Sequence, residues 1–380
     1  MKVLICDYTG NATQWLEQFA IKKNLEIIGT ITPATDKKLL AENSWEYLLV
    51  FEQGARQFFA LLAQFMNISY ERVIYALDWN SWTQHPAATL ALINPASAEE
   101  VYRRLTFNIA RQLNYFMAAT TAEGLHYVAT SNDNYIIRNT YSTHQNWAAD
   151  DMKIFHQLAK KYYDIDDGDG YFLDLGANIG TTGIYFTKIL APNLKILAFE
   201  PDKENFKLLR ANLILNDFEN GIAENYGLGD EESEITMYRI PDNPGANRLF
   251  KDSWGKTTES VKIISLDNYF SENKLNPKDV KYIWIDTEGF EAKVLLGAKN
   301  ILKENPAPIF MEFNPYFWQK LGCYEKLMAL LTVLYEGFIL VKVVTNKKEI
   351  NVYPIEELWE FQNVKHITAE LGDIFLIHKI

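Results

Sequence analysis

Along residues 2–78 short apolar runs (KVLICD, LEIIGTI, YLLVF and RVIYALD) alternate with helical spacing around Trp15–Ile21 and Phe58–Met66. Strands separated by helix-length periodic segments mark a parallel sheet with crossover helices. Residues 1–95 are therefore expected to form a small Rossmann-like α/β domain concerned with recognition or assembly. A helical pattern runs next from Ala96 to about Met117, with Ser97 as N-cap and Glu100 three residues on. LHYVAT and NYIIRN, separated by Ser131-Asn132-Asp133, read as a β-hairpin, which makes residues 96–149 a connecting helix and hairpin. A helix is expected to open near Asp150 and to end at the Asp166–Gly170 turn.

A second, larger α/β pattern occupies residues 150–380. YFLDLG, KILAFE, GIAENYG, YIWIDTEG, PIFMEF and FILVKVV read as six strands, and GDIFLIHKI closes the chain. Two further β-like runs, EITMYRI and SVKIISL, form an insertion between the third and fourth strands.

Composition narrows the function. The formal charge of −12, with no basic tract, offers nothing to a phosphate backbone and argues against nucleic acid. Cys6 and Cys323, far apart, build neither a disulfide framework nor a CxxC metal site, which fits a reducing cytoplasm. The start MKVLICDYTG lacks the basic and apolar regions of a secretory signal, and the apolar stretch from Leu327 to Val344 is broken at Glu336-Gly337. A cytoplasmic protein without membrane contact, monomer or homodimer, is expected.

The strongest chemical signal is Asp174-Leu-Gly176-Ala177-Asn178-Ile-Gly180-Thr181, directly after an apolar strand and opening a helix. Glycines there let backbone N–H groups approach a ligand. Asn178 and Thr181 stand where a dinucleotide fingerprint has its second and third glycines, so a cofactor without a pyrophosphate, such as S-adenosylmethionine, fits better. The N-terminal turn Asp7–Asn11 has one glycine and is a still poorer dinucleotide site. Glu200, followed by Pro201, ends the next strand, where an acid accepts hydrogen bonds from both ribose hydroxyls. Topology sets Asn225 and Gly227, at the end of the third strand, beside the adenine.

The fourth strand carries Asp286-Thr287-Glu288-Gly289-Phe290-Glu291. If that segment stays extended, Asp286 and Glu288 share a face and point into the crevice, joined by Glu312 and Asn314 from the neighbouring strand. Such a cluster can deprotonate a hydroxyl, or hold Mg²⁺ through Asp286, Glu288 and Glu312. The general-base role without a metal is preferred; helix capping by Glu288 and Glu291 is the alternative.

DLGANIGTTGIYF, AFEPD, SLDNYF and WIDTEGFEAKVLLGAKNIL resemble the FkbM family of S-adenosylmethionine-dependent methyltransferases, specifically over about Asp169–Pro315. The resemblance implies a class I methyltransferase fold that O-methylates hydroxyls of sugars, polyketides or other small molecules. It also implies that Asp174, Gly176, Asn178, Gly180 and Glu200 bind the cofactor and that Asp286 and Glu288 lie at the transfer site. The N-terminal half resembles, at the level of pattern, the degenerate Rossmann-like domain of longer members. The family's serine-rich segment is replaced here by Pro244-Gly245-Ala246-Asn247-Arg248.

Outside those motifs, His144 is a candidate base covering the cofactor pocket, set against a surface-loop histidine. Arg248 and Trp254 are candidates to clamp an acidic or sugar acceptor, Tyr316–Trp318 wall or core, and Trp79, Trp82 and His85 inter-domain packing. The expected activity is O-methylation of a carbohydrate or other small-metabolite hydroxyl by S-adenosylmethionine. An NAD-dependent nucleotide-sugar oxidoreductase or epimerase and a non-catalytic binding module stand as alternatives.

Overall fold

The computed structural model describes residues 2–7, 26–31, 47–51, 73–76, 103, 106–107, 110–218, 221–240, 243–251, 257–341, 351–361 and 372–379. The chain divides into two compact units, Met1–Met117 with Tyr141–Thr143, and Ala118–Thr140 with His144–Ile380. In the first unit β1 (Lys2–Asp7), β2 (Glu26–Ile31), β3 (Tyr47–Phe51) and β4 (Val73–Ala76) form a parallel sheet of order β2-β1-β3-β4. The four apolar runs are thus strands. The segments between them, with Trp79, Trp82, His85, Ser97 and Glu100, lie outside the described residues.

The long helix expected to reach Met117 stops earlier. Residues 110–113 are helical, and then Asn114 closes the last turn with both its backbone N–H (3.0 Å) and Nδ2 (2.8 Å) on the Ala110 carbonyl. Phe116–Thr120 is strand β5, alternating exposed and buried residues. The expected hairpin of LHYVAT with NYIIRN is also corrected. Strand β6 (His126–Thr130) pairs backwards with β5, and NYIIRN enters helix α1 (Ile136–Thr143). Asp133 decides this: its carboxylate accepts from the N–H groups of Tyr135 (2.9 Å), Ile136 (2.9 Å) and Ile137 (3.3 Å), satisfying a helix N-terminus instead of a β-turn.

Helix α2 (Ala149–Tyr163) buries Met152, Phe155, Leu158 and Ala159 at helical spacing, with Asp150 and Asp151 in its first turn and Lys160 and Lys161 in its last, as the helix dipole favours. Strand β7 (Gly170–Leu175) leads into α3 (Thr181–Tyr185), β8 (Leu194–Phe199), α4 (Lys203–Leu215), β9 (Ile222–Glu224) and β10 (Gly227–Leu228). The insertion supplies β11 (Ser233–Arg239) and β12 (Thr257–Ile264), an antiparallel pair that forms a three-stranded sheet with β10. After them come α5 (Leu266–Asn273), β13 (Val280–Ile285), α6 (Glu291–Gly297), α7 (Lys299–Glu304), β14 (Ile309–Glu312), α8 (Pro315–Lys320), α9 (Tyr324–Leu334), β15 (Tyr335–Leu340), β16 (Tyr353–Pro354) and β17 (Asp373–His378).

The main sheet has the order β16-β15-β17-β14-β13-β7-β8-β9, with β17 antiparallel to both neighbours. Order reverses at β7, between β8 and β13, and open α/β sheets bind ligands outside the carboxyl ends of strands at such a point. The buried strands read as nearly continuous apolar runs because helices cover both faces. On one face Phe155 of α2 meets the rings of Phe186, Tyr282, Trp284, Phe310 and Phe375 at 5.6–6.2 Å. Alternate residues of the same strands, Leu173, Leu175, Ile283, Ile285 and Met311, face the other way into a core shared with Leu295, Leu302 and Leu327.

Phe155 is fully buried at the centre of the aromatic face. Phe155→Ala should lower stability by about 3–5 kcal/mol, read from urea midpoints. A loss below about 1 kcal/mol would show that α2 is not held by this contact set.

Candidate active site

The loop after β7 is shaped by backbone that only some residues adopt. Gly176 has φ 92°, and a Cβ there would lie 1.9 Å from the Asp286 carbonyl oxygen, so the residue must be glycine. Asn178 (φ 50°) is left-handed too, a conformation Asn tolerates through its short polar side chain. Beneath the loop Asp174 is fully buried and accepts from Thr182 Oγ1 (2.9 Å) and Gly183 N–H (2.9 Å). Burial pushes its carboxyl up to about 6 while those two donors pull the other way. Asp174 therefore braces the start of α3 and does not line the cavity above. Ala177, Gly180 and Thr181 are likewise buried and do not line it; the Thr181 carbonyl accepts from Asn146 Nδ2 at 3.1 Å. A second tie was not legible in sequence: Asn212 of α4 donates to the Ile179 carbonyl (2.9 Å) and pairs with the backbone of Val128 in β6.

A cavity of about 500 Å³, its open mouth included, lies over the carboxyl ends of β7, β8 and β10. Of the residues expected to hold cofactor, Gly176, Asn178, Glu200, Pro201 and Gly227 line it, with Tyr226, Leu228, Met237 and Leu249 as its apolar wall. Such a mixture of apolar surface and a few converging polar groups suits a nucleoside-sized ligand. Asn225 stands behind it, donating from Nδ2 to the carbonyls of Glu200 (2.9 Å) and Pro201 (3.0 Å). Glu200 is 6 % exposed; one carboxylate oxygen accepts from Asn178 N–H and the other from Asp202 N–H, each at 2.8 Å. Each oxygen keeps lone-pair capacity for a hydroxyl donor. Burial and the neighbouring Asp202 push this carboxyl up to about 8, against the pull of the two N–H groups. The Asn178 Oδ1 atom is buried with no hydrogen-bond partner among the described residues, a cost that a ligand N–H or O–H would relieve. These features fit S-adenosylmethionine.

The insertion roofs this cavity through Pro244, Gly245 and Asn247. It is clasped at Asp202, the N-cap of α4, which forms an ion pair with Arg239 (Nε at 2.7 Å) and accepts a hydrogen bond from Asn247 Nδ2 (3.1 Å) while capping Glu204 and Asn205.

The acidic segment differs in detail from expectation. Strand β13 ends at Ile285, and Glu288 (φ 53°) and Gly289 (φ 100°) are left-handed, so Asp286 and Glu288 do not share the face of an extended strand. A turn brings both into the cavity lining instead. Glu291 organises the turn, accepting from Thr287 N–H (3.2 Å), Thr287 Oγ1 (3.1 Å) and Gly289 N–H (2.8 Å), while its other oxygen accepts from Trp318 Nε1 (2.8 Å). Trp318 is thus fully buried core, not acceptor wall. Glu288 pairs with Arg248 Nη2 at 3.4 Å, and the Arg248 guanidinium lies 5.3 Å from the Phe317 ring centre. Trp254 lies outside the described residues.

Asp286 stands deep in the cleft with Glu288, Asp373 and Glu291 around it; this depth and these like charges hold its carboxyl well above the usual carboxylate range. Its side chain faces cavity rather than packed protein, so the crowding of negative charge is the firmer of the two causes. Glu312 is raised likewise, and its Oε2 is buried without a hydrogen-bond partner among the described residues. Among the described residues no group of three His, Cys, Asp or Glu is arranged to hold a metal ion.

A second, wider hollow of about 1470 Å³, open solvent included, opens on the other side of Asp286. Gln145, Asn146, Trp147, Trp284 and Asp373 line it. His144 does not line either cavity: it ends α1 with φ 56°, and its Nδ1 pairs with the Thr120 carbonyl at 2.7 Å. Its neighbours Gln145–Trp147 reach the cleft where it was expected to.

The sheet order, the glycine loop and the acid at the end of β8 define a class I, S-adenosylmethionine-dependent methyltransferase. Residues 174–365, just over half of the chain, match the Methyltransferase FkbM domain, and the chain belongs to that family. It is 27 % identical over 184 residues to Methyltransferase 1 of Beauveria bassiana, covering 42 % of this chain and 73 % of that one. It is also 27 % identical over 164 residues to the 2-O-methyltransferase NoeI of Sinorhizobium fredii, covering 40 % of this chain and 65 % of that one. The crystal structure of Methyltransferase FkbM from Methylobacillus flagellatus aligns over 99 % of this chain and 89 % of its own with 12 % identity and a TM-score of 0.36. Family membership displaces both the NAD-dependent and the non-catalytic alternatives. No helix among the described residues is long and apolar enough to cross a membrane.

Glu200 binds its proton more tightly folded than unfolded, since its carboxyl rises from 4.5 to about 8, and Asp174 does so from 3.8 to about 6. The folded state then holds more protons than the unfolded one between those values, so these groups make stability fall as pH rises from about 4 to about 8. Thermal melts of the ligand-free protein should show this fall, and Glu200→Gln should flatten its upper half. An unchanged slope in that variant would remove Glu200 as its source.

Proposed function

We propose that this protein transfers a methyl group from S-adenosylmethionine to a hydroxyl of a carbohydrate or other small metabolite. The observation that carries the reading is the position of Asp286, the one residue among the described residues that lines both cavities. A base for methyl transfer has to stand where the cofactor and the acceptor meet. The kinship with a protein named a 2-O-methyltransferase supports a hydroxyl as the acceptor.

When bound, S-adenosylmethionine supplies a methyl group on a sulfonium, an electrophile that needs no further activation. Glu200 would take the ribose hydroxyls on the free lone pairs of its two oxygens, and Asn178 Oδ1 would accept a cofactor N–H. The apolar wall of Tyr226, Leu228 and Met237 would cover the base. Asp286 would take the proton that the acceptor hydroxyl gives up as it is methylated, and the cofactor would leave as S-adenosylhomocysteine. A carboxyl held above its usual range is better matched to that proton than an ordinary aspartate. Glu288 is committed to Arg248 and keeps the turn in place, and Glu291 fixes the backbone on which Asp286 sits. Much of the acceleration would come from holding two reactants in line in a water-poor cleft.

Asp286→Asn should reduce S-adenosylhomocysteine formation with a hydroxylated acceptor by at least about 10²-fold, while its affinity for S-adenosylhomocysteine stays within about threefold of wild type. Turnover at the wild-type rate would remove Asp286 from the mechanism. Glu200→Ala should weaken S-adenosylhomocysteine binding by about tenfold or more, as loss of the hydrogen bonds to both ribose hydroxyls requires. Unaltered affinity would show that the ribose is held elsewhere.

A further inference from the structure

The wider hollow contains a platform for the acceptor. This inference rests on the reading of the first cavity as the cofactor site, because the two meet only at Asp286. We infer that Trp147 binds the acceptor, taking the C–H face of a pyranose ring on its indole beside Asp286, and that Asn146 is the positioning residue that fixes Trp147 to the cofactor loop.

The hollow is built largely ahead of the family's domain. All of its lining except Trp284, Asp286 and Asp373 belongs to residues 122–153, whereas the family match starts at residue 174. Within that stretch Trp147 is the one aromatic residue of the lining. It is half-buried, and among the described residues its indole N–H donates no hydrogen bond and its ring meets no other ring. Trp284 is placed differently. It stacks on Phe310 with ring centres 4.3 Å and planes 9° apart, meets Phe155 as well, and is 6 % exposed. Trp284 is therefore rigid floor, and Trp147 is the ring with surface to offer.

Asn146, 4 % exposed, spends its whole carboxamide on holding that ring's backbone. Its Nδ2 donates to the carbonyls of Trp147 (2.7 Å) and Thr181 (3.1 Å), and its Oδ1 accepts from the Tyr127 hydroxyl (2.6 Å). Thr181 opens α3 directly after the glycine loop, so Trp147 is tied to the segment that shapes the cofactor site. Ala148 (φ 56°) then turns the chain into α2 through a left-handed conformation that a non-glycine residue keeps only where its surroundings hold it.

The chemistry of the walls selects a sugar ring. An indole face is the negative side of the ring's quadrupole and attracts the partly positive C–H groups of a pyranose. Beyond the two indoles the lining is polar apart from three alanines. A pyranose matches that division, with a C–H face for the indole and hydroxyls for the polar side, one of them at Asp286. A phenol, apolar on both ring faces, would set one of them against polar groups it cannot satisfy.

The test titrates the full-length protein calorimetrically, first with S-adenosylhomocysteine and then, saturated with it, with the methyl pyranosides of glucose, galactose and mannose and with catechol. Failure of S-adenosylhomocysteine to bind would overturn the cofactor reading and this inference with it. With it bound, at least one pyranoside should bind about tenfold or more tighter than catechol. Trp147→Ala should weaken that pyranoside by about tenfold or more and leave S-adenosylhomocysteine affinity within about threefold, while Trp147→Phe, which keeps an aromatic face, should hold the pyranoside within about threefold. Asn146→Ala should weaken the pyranoside too, and the double variant with Trp147→Ala should lose no more than Trp147→Ala alone, because Asn146 acts through Trp147. Binding of no pyranoside, a preference for catechol, unchanged affinity in Trp147→Ala, or a phenylalanine variant as weak as the alanine one would each overturn the platform while leaving the cofactor site standing. Additive losses in the double variant would overturn the role of Asn146.

Discussion

In the main sheet Leu175 is the register partner of both Phe199 and Ile285, and Ile285 is that of Met311. The next residues along the chain, Gly176, Glu200, Asp286 and Glu312, therefore leave four adjacent strands at one level. The backbone continues the alignment past the strand ends, since Gly176 N–H donates to the Phe199 carbonyl and Asp286 N–H to the Leu175 carbonyl, each at 3.0 Å. One parallel register thus sets the glycine loop, Glu200 and Asp286 side by side. A slip of one residue in any pairing would turn that strand's inward residues outward and take its functional residue away from the others.

Around that row, carboxylates divide into those that hold the backbone and those that face a cavity. Asp174, Asp202 and Glu291 each collect two or more donors from nearby N–H, hydroxyl or indole groups and fix the glycine loop, the head of α4 and the turn after β13. Glu200 and Asp286 face cavities. Among the described residues Asp286 receives no hydrogen bond on its carboxylate, in contrast to the fourfold contacts of Glu291. Satisfied carboxylates rigidify a site, and underused ones are where a ligand is bound.

Much of this was readable from residue order. The strands were visible as apolar runs because both faces of a covered parallel sheet are buried, and Gly176, Asn178, Glu200 and Asp286 fall at strand ends, where ligands bind. Three things were hidden. Asp133 looked like a turn residue, yet its three N–H contacts make it the start of a helix; aspartate suits a turn and a helix start alike, and the IIRNTYST that follows, rich in β-branched residues, reads as strand by propensity. Asp174 and Glu200 both stand in acid-bearing motifs, but only burial shows that one lies beneath the loop and the other opens into the cavity. The second cavity is drawn from segments as distant as Glu123, Trp147, Trp284 and Asp373, a convergence no local pattern encodes.

The most direct measurement of the central claim is a crystal structure of the complex with S-adenosylhomocysteine. The account predicts both ribose hydroxyls on the Glu200 carboxylate and the sulfur facing Asp286 at the junction of the two cavities. A ribose held by other residues, or a sulfur separated from Asp286 by protein, would contradict it.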